Sequence, residues 1–173
     1  MSGPAQNRTD RTGLRDREHD DRQRRLAGKR ESGRVHDLVA ALDRLRMGQA
    51  VEALGRQRGE VIVSAGAAAA NTLGLTTQVP VRSIFLTSGR SRNMKLGKQI
   101  VELRHAPRWQ LALAGRPAGE AVRALAWLGP EQAEPALKKL KRTLPPTTFE
   151  ELVSAAPQFP TWLAQSVGKV AYG

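Results

Sequence analysis

The sequence predicts an α+β fold: a small, partly antiparallel sheet with packed helices and a helical C-terminal part. Three observations carry this expectation. Short β-branched runs stand at 60–64 (EVIVS) and 83–87 (SIFLT), the composition of strands. Met94–Leu96 and Ile100–Leu103 read as two further short strands around Gly97, the mark of a hairpin. From Pro117 onward, apolar residues recur at helical spacing, and prolines stand where helices open.

Residues 1–34 interleave Arg with Asp and Glu and hold almost no apolar groups. Such a segment cannot bury enough surface to offset its ordering entropy, so a disordered charged tail is expected. Thr12 to Arg25 can pair charges at i,i+4 in a transient helix. The tail reads either as a basic arm for a DNA backbone or as a solvated appendage. Order is expected over 35–173. Leu38, Val39, Leu42 and Leu45 share one helical face. Gly48 is expected to break or kink this element, with a second helical piece over Gln49–Leu54 and a turn over Arg56–Gly59.

Glu60–Ser64 is then a strand. Gly66–Leu73 is nearly all alanine, the best helix former, with Gly74 at the stop. Its small side chains let another backbone come close. Thr76–Pro80 is a loop, and Pro80 holds Val79 extended. Ser83–Thr87 is a strand, Ser88 and Gly89 turn the chain, and Met94–Leu96 pairs with Ile100–Leu103 around Gly97.

Pro117 opens a helix that carries Val122, Leu125 and Leu128, and Gly129-Pro130 ends it. The next, Glu131 to about Thr143, places Ala133, Leu137, Leu140 and Leu144 on one stripe. Lys138, Lys139, Lys141 and Arg142 gather near its C-terminal end, where they suit the negative end of the helix dipole. Thr148 and Glu151 have capping-box spacing ahead of Leu152 and Val153. Pro160 opens a short last helix with Trp162, Leu163 and Val167.

Composition bounds the function. The 173 residues carry a formal net charge of +12 and 40% hydrophobic residues, which suits one globular domain that attracts phosphate-bearing partners. There is no Cys, which excludes disulfides and thiolate chemistry and is compatible with a reducing cytoplasm. No apolar run approaches the length of a membrane span. Aromatics are 4%, too few for a platform that stacks single-stranded bases.

Catalysis is not expected. Between Val61 and Pro130 the only carboxylates are Glu102 and Glu120, a poor supply of ligands for Mg²⁺. The three histidines are His19, His36 and His105, and no metal, cofactor or nucleotide motif accompanies them. Ser91 with His105 as base is conceivable. Yet no Asp stands near in sequence to orient the ring, and a Ser in a basic turn is usually a hydrogen-bonding turn residue.

The strongest functional signal is electrostatic. Arg82, Arg90, Arg92, Lys95, Lys98, Arg104, Arg108 and Arg116 face one acid in the same window, Glu102. Arg offers bidentate donors to phosphate and Lys a point charge. Arg82, Arg90, Arg92, Lys95, Lys98 and Arg104 are the candidate DNA-binding residues, contacting the phosphate backbone. Charge alone leaves RNA and an acidic protein open as partners beside DNA, and the remaining alternative is a generally basic surface.

The same region resembles a known family. GAAAANTLGLTTQVP (Gly66–Pro80), IFLTSGRSRNMKLG (Ile84–Gly97), the IVELRHA strand from Ile100, AVRALAWLG (Ala121–Gly129) and PTWLAQSV (Pro160–Val167) are similar to the AbiEi-type antitoxins. These belong to AbiE abortive-infection, or type IV toxin–antitoxin, systems. The resemblance runs from about Ala50 to the C-terminus. It implies a cytoplasmic antitoxin, without enzymatic activity or cofactor, that neutralises a cognate nucleotidyltransferase-like toxin. It also implies repression of its own promoter through DNA binding. In that family a winged-helix domain usually precedes the part matched. Here 35–58 hold at most a remnant of one, so the resemblance covers the C-terminal domain. The alternatives are a stand-alone nucleic-acid-binding regulator and a truncated family member without function.

Overall fold

The computed structural model describes residues 42, 43 and 45–173. The tail read over 1–34, and the apolar face started by Leu38 and Val39, lie outside the described residues. The chain divides into two compact units, Met1–Met47 and Gly48–Gly173. Of the first, residues 42, 43 and 45–47 are described, and they are helical. The second holds the sheet and the C-terminal helices.

Gly48 is itself helical, and the helix of this unit, α1 (48–57), runs through to residue 57. Of the break or kink expected at Gly48 the break is not found, and the end expected at Leu54 is corrected. A single Gly costs a helix only about 1 kcal/mol, which the burial of Val51 offsets. The turn at 58–59 follows, with Gly59 at φ +68°.

Four strands form one mixed sheet: β1 (Ile62–Ser64), β2 (Ile84–Thr87), β3 (Arg92–Leu96) and β4 (Gln99–His105). Their order is β1-β2-β4-β3. β1 runs antiparallel to β2, with Ile62 opposite Thr87, and β3 antiparallel to β4, with Met94 opposite Val101. β2 and β4 are parallel, with Phe85 beside Leu103. The expected α+β class and partly antiparallel sheet are found. The hairpin closes through Gly97-Lys98, with Leu96 opposite Gln99 and Gly97 at φ +59°. A glycine first in a two-residue turn supplies the positive φ that matches the strands' twist.

Helix α2 (Gly66–Thr72) lies between β1 and β2 in the chain and packs on α4 (Pro117–Leu128). The contact is backbone to backbone. A Cβ on Gly66 would clash with the Arg123 carbonyl and stand 2.6 Å from Trp127 Cβ. Ala69 and Ala70 fill the same seam against Ala124. Alanine density thus serves close packing.

The C-terminal part is helical as expected. After α3 (Arg108–Leu111) and α4 come α5 (Pro130–Thr143), α6 (Pro146–Ser154), a 3₁₀ turn at Ala156–Gln158 and α7 (Thr161–Tyr172). Val122, Leu125, Leu137, Leu140, Leu152, Leu163 and Val167 are fully buried in one cluster. Gly129, at φ +80°, ends α4 and precedes α5 in one residue. The capping box at Thr148 is corrected: α6 starts at Pro146, and no side chain caps it. The reason is the Pro145-Pro146 pair. A residue before proline avoids the α region, while Pro146 itself is pre-set for the first helical position. Arg108–Leu111 is one turn long and carries no sequence signal.

Candidate functional site

Alternation along β3 and β4 sorts the basic side chains. Lys95 stands opposite Ile100, and Asn93 opposite Glu102. Arg104 shares their face, two residues on from Glu102. This face is open: Lys95 and Arg104 are exposed and Ile100 is 70% exposed. Arg92 stands opposite Leu103 on the other face, which buries Val101 and Leu103. Lys98 occupies the exposed hairpin tip, and Arg82 lies just before β2, also exposed. Arg90 sits in the loop between β2 and β3, at the other end of β3 from Lys98.

The structure also supplies acids that the local sequence lacks. Arg92 NH2 donates to Glu60 Oε2 at 2.6 Å, across 32 residues. Thr87 Oγ1 donates to the same oxygen at 3.3 Å and accepts the Gly89 N–H at 3.0 Å. The Arg92 hydrogen bond, above all, holds the Glu60 carboxyl below its ordinary range; burial opposes this, and the charge of Arg92 and the Thr87 hydroxyl add to it. Arg104 Nε donates to Glu102 Oε1 at 2.8 Å. That hydrogen bond lowers the Glu102 pKa most, and the charge of Arg82 contributes. Arg116 pairs with Glu151. Arg92 and Arg104 would therefore exchange a carboxylate for a phosphate on binding one. Arg82, Arg90, Lys95 and Lys98 make no ion pair among the described residues.

The loop after β2 forms a second feature. Ser88, Gly89, Arg90, Ser91 and His105 line a shallow depression of about 410 Å³. Ser91 Oγ accepts the backbone N–H of His105 at 2.8 Å, and His105 Nδ1 lies 2.9 Å from the Gly89 carbonyl. So the structure does bring Ser91 and His105 together, through the backbone of one and with the ring oriented by a carbonyl. Glu60 lies beneath this loop. A Cβ on Gly89 would stand 2.6 Å from its carboxyl carbon, so a side chain there would have to push the Glu60 carboxylate aside. Sequence reasoning missed Glu60 because it precedes the acid-poor window; its only signal was its place at the start of the EVIVS strand.

Among the described residues no group of three His, Asp or Glu side chains converges as a metal site. No helix among them is long and apolar enough to cross a membrane. No curated protein and no solved structure matches the chain. A family model described as a family of unknown function, DUF6088, matches residues 32–152. Since that match covers more than half of the 173 residues, the chain belongs to the DUF6088 family.

Proposed function

We propose that this protein is a non-enzymatic, cytoplasmic antitoxin. It neutralises a cognate nucleotidyltransferase-like toxin and represses its own promoter by binding DNA through the phosphate backbone. The observation that carries the DNA-binding part is the division of the cations. Arg82, Arg90, Lys95 and Lys98 are exposed without a carboxylate partner among the described residues, while Arg92 and Arg104 are engaged. Exposed cations left without counter-charges are those that release condensed counterions from DNA. The antitoxin part is supported by the resemblance of Gly66–Pro80 and Ile84–Gly97 to AbiEi-type antitoxins.

Co-expression tests it. A nucleotidyltransferase-like gene beside the coding sequence, toxic alone and harmless with this protein, is the expected result. Unrelieved toxicity removes the antitoxin reading. Protein that leaves its own promoter fragment unshifted in a mobility assay at low salt removes the DNA-binding reading.

A further inference from the structure

Residues that carry donor groups line the depression at the β2–β3 loop. Ser88 Oγ accepts the Val61 N–H at 3.0 Å, and Ser91 Oγ accepts the His105 N–H at 2.8 Å. A hydroxyl that accepts from the backbone still has its own proton to donate. A carbonyl only accepts, so the contact of His105 Nδ1 with the Gly89 oxygen at 2.9 Å places a proton on Nδ1. The ring is thereby held in one orientation, and Nε2 is left for a ligand, as a donor once the ring is charged. Arg90 lines the same depression, and no Asp or Glu does. The acid nearest in the network, Glu60, is committed to Arg92 and Thr87 below Gly89. The hydroxyls of Ser88 and Ser91, the Arg90 guanidinium and the His105 ring in its imidazolium form are the donors that the residues around this shallow hollow can offer a tetrahedral oxyanion. Because the hollow is shallow, a strand can run through it.

We propose that Ser88, Arg90, Ser91 and His105 seat one internal phosphodiester of a bound nucleic-acid strand. This deepens the reading above and rests on its DNA-binding part. Lys95, Lys98 and Arg82 supply diffuse attraction, whereas the seat is a localised contact that sets the register of the backbone. Ser88, Ser91 and His105 are thereby assigned a role that charge alone did not suggest.

Two measurements on the full chain test this. The first follows backbone amide resonances during titration with inorganic phosphate, against chloride at equal ionic strength. Shifts concentrated at 88–91 and 105 are expected; shifts centred on Lys95 and Lys98 overturn the seat. The second compares duplex binding by the parent, Arg90→Ala and His105→Asn. Asparagine retains a donor for the Gly89 carbonyl and lacks the outer one. Each variant is expected to bind about tenfold more weakly, the loss of one hydrogen bond to a charged group. Arg90 is exposed, so its variant keeps the test valid if His105→Asn folds poorly. Parent-like binding by Arg90→Ala and by folded His105→Asn overturns the seat and leaves DNA binding standing. Loss of binding when a 5′-terminal phosphate is removed from the duplex points to an end-binding pocket and also overturns it. A parent that binds no duplex, yet shows the phosphate shifts at 88–91, fails the DNA reading itself and the phosphodiester assignment with it.

Discussion

The guanidinium of Arg92 reaches 32 positions back along the chain to place NH2 at 2.6 Å from Oε2 of Glu60. This pair ties the start of β3 to the residue two before β1, at opposite edges of the four-stranded sheet. Their side chains are 27% and 24% exposed, so the pair is shielded only in part. Glu60→Gln is expected to lower unfolding stability by about 1 kcal/mol, the value of a charge-assisted hydrogen bond reduced by solvent screening. Urea titration at neutral pH measures it; an unchanged midpoint contradicts it.

The same pair sets a pH dependence. Arg92 depresses the Glu60 pKa from its ordinary value of 4.5. Lys138 and Lys169 likewise hold Glu134 down to about 2. A carboxyl depressed in the folded state is protonated more readily by the unfolded chain, so falling pH favours unfolding. The stabilisation is complete above about pH 4.5 and fades as pH falls through the folded values. Acid titration of Glu60→Gln should show a shallower loss of stability below that pH than the parent. Equal slopes would remove Glu60 from the account.

Glycines separate by their surroundings. Gly66→Ala must displace α4 at both the Arg123 carbonyl and the Trp127 Cβ. It is expected to cost about 1–3 kcal/mol, as overpacking does. Gly168 lies inside α7, where a Cβ meets nothing within 4 Å. Gly168→Ala is expected to stabilise by about 0.5–1 kcal/mol through helix propensity and a less flexible unfolded chain. Thermal melts of the two variants should move in opposite directions.

Arg123 is 3% exposed, and among the described residues its Nε and NH1 have no hydrogen-bond partner. Burial pushes its pKa down, while the charges of Glu120 and Glu52 pull it up. Unpaired buried donors each cost about 1–3 kcal/mol. Arg123→Met retains much of the aliphatic length and removes those donors. We expect equal or greater stability, by up to about 2 kcal/mol. A drop of that size would show that the guanidinium contributes net stability where it lies.

DNA binding should report the cation division. Lys95→Ala and Lys98→Ala are each expected to reduce the slope of log affinity against log salt by about 0.9, irrespective of sequence. Arg92→Ala is expected to act differently, lowering stability by leaving Glu60 without its partner. Filter binding across a salt series, with a melt for each variant, separates the two effects.

Local chemistry made much of this fold legible. Pro117 and Pro130 mark helix starts because a fixed φ suits the first turn. Gly97 marks the hairpin because its turn needs a positive φ. Val122, Leu125, Leu137 and Leu140 announce the core by their spacing. Where local rules competed, reading failed: Pro146 overrode the cap at Thr148, and Gly48 stayed helical. The exposed cations Lys95 and Lys98 were legible as charges, because a residue's charge does not depend on its neighbours.

By itself, then, the sequence determined the class, most helix starts, the hairpin and the excess of positive charge. All of these follow from backbone preferences and composition within a few residues. The tertiary structure alone decided the parallel pairing of β2 with β4 and the pairing of Glu60 with Arg92. It alone put the ring of His105 against the Gly89 carbonyl. These depend on groups 16 to 32 residues apart meeting at hydrogen-bond distance, and no local preference encodes such a meeting.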